Sequence, residues 1–176
     1  MTNVMNRTQK MTRSAMLVAL GIIIPMVMPK ISIPPASYTI ASHVPVFISM
    51  FISPGVAIAV SLGTAFGFFL TLPPVIALRA LSHLVFAVIG AIYIQRYPNL
   101  IHQRKHLFFF NLVIALIHAV SESLVVALFF MGSPDHVNVN YFTAVFLMIG
   151  VGGFFHSIID FIITENLLKR LDFIRQ

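Results

Sequence analysis

Arg79 is the one fully charged side chain between Lys30 and Arg96, inside a long hydrophobic stretch. A charge near the middle of a bilayer span costs roughly 2.5–3.5 kcal/mol on insertion scales, so such a residue faces a cavity, a partner or a ligand. His83 follows it by four positions, and on another apolar stretch His118 precedes Glu122 by four. Residues four apart stack along one helix face, so each pair is presented together. A guanidinium fork grips a carboxylate through two parallel N–H groups, while imidazole and carboxylate groups bond a ring nitrogen or a hydroxyl. One cavity lined by Arg79, His83, His118 and Glu122 would therefore suit an anionic solute. The same residues have a plainer use, in which Arg79 and Glu122 neutralise one another and the two histidines hydrogen-bond between helices. Both uses are compatible in part, because an ion pair inside a cavity can be scaffold and ligand contact at once.

A second polar set, His156, Asp160 and Glu165, lies near the C-terminal end. His156 and Asp160 are again four apart, an orienting pair or half of a metal site, but without a nearby third ligand no metal is expected. The absence of cysteine excludes disulfides and thiolate metal sites. There is no Gly-x-Ser-x-Gly, His-Glu-x-x-His or Walker sequence, so neither common hydrolase chemistry nor nucleotide binding has a foothold. No catalytic residue and no cofactor are expected in this chain.

The elements that must position these groups are membrane helices. Of 176 residues, 59% are hydrophobic and only 9% charged, and the mean hydropathy is +0.96. That composition reads as an all-α integral membrane protein. Arg7, Lys10 and Arg13 lead into Ala15–Met28 without a small-residue cleavage site, which predicts an uncleaved first span. The net charge of +6 is carried mostly by short segments flanking the apolar runs, which points to the lipid bilayer and away from nucleic acid. A span needs about 20 apolar residues. The expected architecture is a single domain over 1–176, a compact bundle of six transmembrane helices near 12–29, 40–53, 55–72, 75–95, 107–131 and 141–168. Pro34, Pro35 and Pro45 interrupt the second segment and Ser53-Pro54-Gly55 closes it, so it reads as a kinked span or half of a re-entrant hairpin.

With both termini cytoplasmic, nine of the eleven Lys and Arg residues fall on the inner side, as the positive-inside bias requires. The exceptions, Lys30 and Arg79, land at or just beneath the outer face. Arg79 lies about 7 Å along the helix from Pro74, and Glu122 about 13 Å below Met131, so both belong to the outer half. His156, Asp160 and Glu165 lie about 22 Å or more from the outer end of the sixth span, which predicts a structural role or a cytoplasmic contact for them. Two outer connections can close over a site: 29–42, with Lys30 and Tyr38, and 132–140, with Asp135, His136, Asn138 and Asn140. Tyr38, His43, Asn140 and Tyr141 are the rim or lid candidates. Ala15 with Ala19, and Gly63 with Gly67, have the spacing that lets helices approach closely, either within the bundle or against another subunit.

With its cytoplasmic N-terminus, six short spans, Ala15-Met16-Leu17-Val18-Ala19, long first outer loop and polar later spans, the chain resembles the substrate-binding S components of energy-coupling-factor vitamin transporters. The resemblance covers nearly the whole chain. Ala41–Ile48 with Ser53-Pro54-Gly55, and Pro73-Pro74-Val75-Ile76 followed by Arg79 and His83, look most like the niacin-type branch, with hydroxymethylpyrimidine, pyridoxine and pantothenate components as similar alternatives. The resemblance implies capture of a vitamin from outside a bacterial plasma membrane, with Arg79, His83, Glu122, His118, Tyr38, His43, Asn140 and Tyr141 around the ligand. It further implies a transmembrane coupling subunit (T component) contacted by Ala15 and Ala19, and two cytoplasmic ATPases that consume the ATP, this chain having no ATPase activity. Nicotinate, a small flat anion with a ring nitrogen, suits a guanidinium, a histidine and an aromatic wall; pantothenate is also an anion. Two other classes stay open: a small membrane enzyme using His118, Glu122 and His156, and a structural subunit whose charges serve only helix association.

Overall fold

The structure is a computed structural model, described over residues 5–33, 36–131 and 139–171. Helix α1 (Arg7–Val27) starts at Asn6, whose side chain accepts the Gln9 amide while the Gln9 side chain accepts the Asn6 amide. This reciprocal capping satisfies two N–H groups that the first turn would leave free. An antiparallel hairpin follows, β1 (Lys30–Ile33) and β2 (Ala36–Thr39), with Lys30 opposite Thr39 and Ile33 opposite Ala36. Then come α2 (Val44–Met50), α3 (Pro54–Thr71), α4 (Pro74–Arg96) and α5 (Arg104–Met131), with a 3-10 turn at Leu100–His102 before α5. The last stretch joins α6 (Val139–Ala144), a π-helical segment at Val145–Gly152, and α7 (Gly153–Arg170). Pro54 and Pro74 open α3 and α4, where a missing N–H and a fixed φ cost nothing.

Five helical stretches among the described residues are long and apolar enough to cross a membrane. The expected second span at 40–53 is not one of them: its helix is the seven residues Val44–Met50, about 10 Å long. Pro45 in its first turn and the Ser53 cap of α3, which accepts the Val56 amide, confine it on both sides. The chain nevertheless runs back along the bundle between α1 and α3. Gly63 faces Val18 and Gly67 faces Ile22, so α1 and α3 run parallel and something between them must run back. That leg is the hairpin followed by α2, which descends beside α4 with His43 against His83, Phe47 against Phe86 and Met50 against Gly90. Helix α5 is antiparallel to α4, with Tyr93 stacked on Phe110 and His83 bonded to Glu122. Helix α7 descends along α5, with Asn111 bonded to the Ile158 carbonyl. The start of α1, the 3-10 turn and the end of α7 therefore share one end of the bundle, and the hairpin and the α3–α4 junction share the other.

Between helices in lipid, association comes from close packing because the surrounding tails are as apolar as leucine. A Cβ added at Gly63 would stand 2.7 Å from the Val18 side chain, so Gly63 and Gly67 serve the α1–α3 contact. Ala15 and Ala19 point the other way, exposed on the outer face of α1. The apolar core occupies the half of the bundle nearer the termini, where Phe47 lies 5.3 Å, ring to ring, from both Phe86 and Phe161. Phe47 and Phe86 stand about one turn beyond His43 and His83, and Phe161 directly follows Asp160. The aromatic layer is thus the floor under a polar chamber.

Candidate functional site

Four of the expected residues converge. Arg79 Nη2 donates to Glu122 Oε2 at 3.0 Å, His83 Nε2 lies 3.0 Å from Glu122 Oε1, and His118 Nε2 lies 3.5 Å from the same oxygen. The ion pair is largely dry, with the Arg79 side chain 13% and the Glu122 side chain 5% exposed. Removing such a pair from water is costly unless further hydrogen bonds complete it. Arg79 is incomplete in this respect: its Nε is buried and has no hydrogen-bond partner among the described residues. Pairing with Glu122 therefore leaves donor capacity on the guanidinium, on a side chain that lines a cavity.

The expectation that His156 and Asp160 sit apart from the site is corrected. Asp160 is fully buried and its carboxylate anchors the start of α2, accepting the Ala41 amide at 2.8 Å, the His43 amide at 2.9 Å and His43 Nδ1 at 3.0 Å. Ala41 takes up φ 66° in this turn, a left-handed conformation unfavourable for a residue with a Cβ and held here by the carboxylate. His156 sits one helical turn before Asp160, 5.0 Å ring to ring from His43, and lines the cavity. Two things moved these residues. The π-helical segment winds more residues into each turn than an α-helix does, so counting 1.5 Å per residue from the outer end overestimates depth. The 29–43 connection also folds inward and brings His43 down to their level, instead of staying at the rim. Glu165 remains outside the site, paired with Lys169.

The cavity is about 130 Å³, lined among others by Lys30, Tyr38, His43, Arg79, His83, Glu122 and His156. Pockets for drug-sized ligands run about 300–1,000 Å³, so this one fits a single small ring. Tyr38 closes one wall, and its hydroxyl donates to the Met148 carbonyl in the π-helical segment. Gly152 lies directly under that hydroxyl, and a Cβ there would collide with it. Gly152→Ala is expected to loosen the hairpin by about 1–3 kcal/mol, the usual cost of overpacking. Amide hydrogen exchange across Lys30–Thr39 measures it, and unchanged protection would mean that Tyr38 is not what holds the hairpin.

The remaining expected residues divide. His43 and Tyr38 line the cavity, whereas His118 lies behind it, buried against Glu122. Asn140 and Tyr141 are placed off the cavity: Asn140 is exposed, and the Tyr141 hydroxyl donates to the Val126 carbonyl within a separate apolar cluster. Asp135, His136 and Asn138 lie outside the described residues. Sequence reasoning passed over Thr64, the hydroxyl of the apolar α3 that lines the cavity and whose Oγ1 has no partner among the described residues.

Against known proteins, the chain is 44% identical over 150 residues to the niacin transporter NiaX of Lactococcus lactis subsp. cremoris (strain MG1363), an alignment covering 84% of this chain and 68% of that protein. No family model matches the chain, and no solved structure matches it.

Proposed function

The chain belongs to the family of the niacin transporter NiaX, the niacin-type S components, and from that premise we propose that it captures nicotinate in the cavity beneath the hairpin. It is a multi-pass membrane protein with a transport role. The observation that carries the ligand assignment is Arg79, a largely buried guanidinium on a chamber of about 130 Å³ with one arm on Glu122 and its Nε unengaged. The free side of the fork receives the vitamin carboxylate, with Lys30 adding positive charge at the entrance. His83 or His156 reaches the ring nitrogen, and Tyr38 forms the flat wall. Pantothenate shares the negative charge but is a larger, extended chain, for which a chamber of about 130 Å³ is small.

The remaining parts of the assembly follow the same premise. The end of the bundle holding Arg7, Lys10, Arg13, Arg96, Arg104, Lys105, Lys169 and Arg170 faces the cytoplasm, which puts the hairpin outside. The chain crosses six times when the hairpin and α2 are counted as one leg. Exposed Ala15 and Ala19 on α1 offer a flat strip to a transmembrane coupling subunit, and two cytoplasmic ATPases supply the energy that this chain does not generate.

A thermal-shift panel on detergent-purified protein tests the ligand. Nicotinate at a thousandfold its dissociation constant should stabilise by about 4 kcal/mol. Pantothenate, pyridoxine and hydroxymethylpyrimidine should not. Stabilisation by one of those three and not by nicotinate would reassign the ligand, and no response to any of them would remove the vitamin-binding proposal.

A further inference from the structure

His43, His83, His118 and Glu122 are all buried, and one ligand atom from each lies within 4.8 Å of the other three. Their rings pack edge to face, with centroids 4.7 Å apart for His43 and His83, 4.5 Å for His43 and His118, and 4.9 Å for His83 and His118. His118 is 1% exposed; its Nε2 stands 3.5 Å from Glu122 Oε1 without hydrogen-bond geometry, and its Nδ1 has no hydrogen-bond partner among the described residues. The large majority of buried side-chain polar atoms in proteins are hydrogen-bonded, so an imidazole without a hydrogen bond, packed against two others and a carboxylate, calls for a chemical reason. A cation supplies one.

We propose that His43, His83, His118 and Glu122 hold one divalent transition-metal ion, for which Zn²⁺ is the fitting probe. Imidazole nitrogen and carboxylate oxygen are the ligands such ions take, at about 2.0–2.2 Å, so a modest inward movement of side chains already gathered would close the site. Orientation is built in. The Asp160 carboxylate engages His43 Nδ1 at 3.0 Å, which leaves Nε2 for the ion and forms the carboxylate–histidine–metal arrangement that fixes a ligand's tautomer. Asp160 is itself pinned by the Ala41 and His43 amides. The other grouping within reach, His43, His156 and Asp160, is the poorer choice, because both Asp160 oxygens are already occupied by those bonds. An ion on Glu122 would also draw that carboxylate from Arg79 and free the whole guanidinium fork, a consequence that rests on the nicotinate proposal above.

The test uses full-length protein without a histidine tag, stripped with chelator and titrated calorimetrically with Zn²⁺ in the absence of any vitamin. One ion per chain is expected, retained on desalting, and Co²⁺ should give the intense visible absorption of a four-coordinate site. His118→Ala and Glu122→Gln should each abolish retention of the ion, Asp160→Asn should weaken it about 10–100-fold, and His156→Ala should leave it intact. Failure of the wild-type chain to bind Zn²⁺, equal binding by His118→Ala, or loss on His156→Ala alone would each overturn the site, and the first needs no variant to fold. Nicotinate titrated with and without Zn²⁺ reads the consequence. Nicotinate is expected to bind a few-fold tighter in the loaded protein, because the arm of Arg79 that Glu122 gives up joins the free side of the fork, and equal affinity would overturn that release. Zinc binding with no nicotinate binding in either form would count against the vitamin and not against the metal.

Discussion

Arg79→Ala is expected to weaken nicotinate binding by about 2–5 kcal/mol, roughly 30-fold to several thousandfold in Kd. Truncation removes the one largely buried Lys or Arg lining the chamber among the described residues, and a carboxylate desolvated there has nothing else of that strength to meet. Arg79→Lys should recover only part of the loss, because an ammonium is a point charge without the planar fork. A drop in affinity alone would not separate ligand binding from scaffolding. Removing Arg79 also leaves Glu122 buried without its counter-ion, which destabilises the bundle and degrades the site indirectly. The double variant Arg79→Ala/Glu122→Gln resolves this, since it removes both charges together. It should return the melting temperature toward the wild-type value while leaving nicotinate binding as weak as in Arg79→Ala. Recovery of both by the double variant would mean that Arg79 only neutralises Glu122.

What could be read in the sequence depended on regular helix geometry. Arg79 with His83 and His118 with Glu122 are pairs four apart on uninterrupted α-helices, so the face they share and their approximate depth follow from 3.6 residues per turn. Their convergence was therefore legible. His156 and Asp160 are equally well spaced, but they follow the π-helical segment Val145–Gly152, and a run of apolar residues carries no mark of that change in winding. The second segment departs from the expectation for a different reason. Its prolines announced a break, yet nothing local says that Lys30–Thr39 pairs with itself and that the following turn hangs from a carboxylate 119 positions later. His43 could be placed only with that turn, and without His43 the histidine cluster has two members on neighbouring helices and no visible purpose. Asn140 and Tyr141 sit beside an outer connection, which suggests the site, but they lie on α6, and the π-helical winding that follows separates their direction from that of His156 and Asp160.

Asp160→Ala is expected to destabilise the protein by about 3–5 kcal/mol, the largest effect on stability of any single substitution at the site. The carboxylate is 0% exposed, and its two oxygens serve different partners, Oδ1 the Ala41 amide and Oδ2 the His43 amide and ring. Alanine leaves two backbone N–H groups buried without acceptors, at about 1–3 kcal/mol each. It also removes what holds Ala41 at φ 66°, a conformation that costs about 1–3 kcal/mol unless its surroundings impose it. Asp160→Asn separates charge from acceptor count. It keeps one oxygen but turns an NH₂ group toward a donor, so one arm of the turn is lost whichever way the amide lies, and a loss of about half the alanine effect is expected. If Asp160 served only as a contact at the cytoplasmic end, both variants would stay within about 0.5 kcal/mol of wild type, as surface substitutions do. Thermal unfolding with matched nicotinate titrations decides it. Because His43 is both the first residue freed when the turn loosens and a wall of the chamber, affinity should fall together with stability, and a stable Asp160→Ala protein with normal affinity would disconnect the turn from the site.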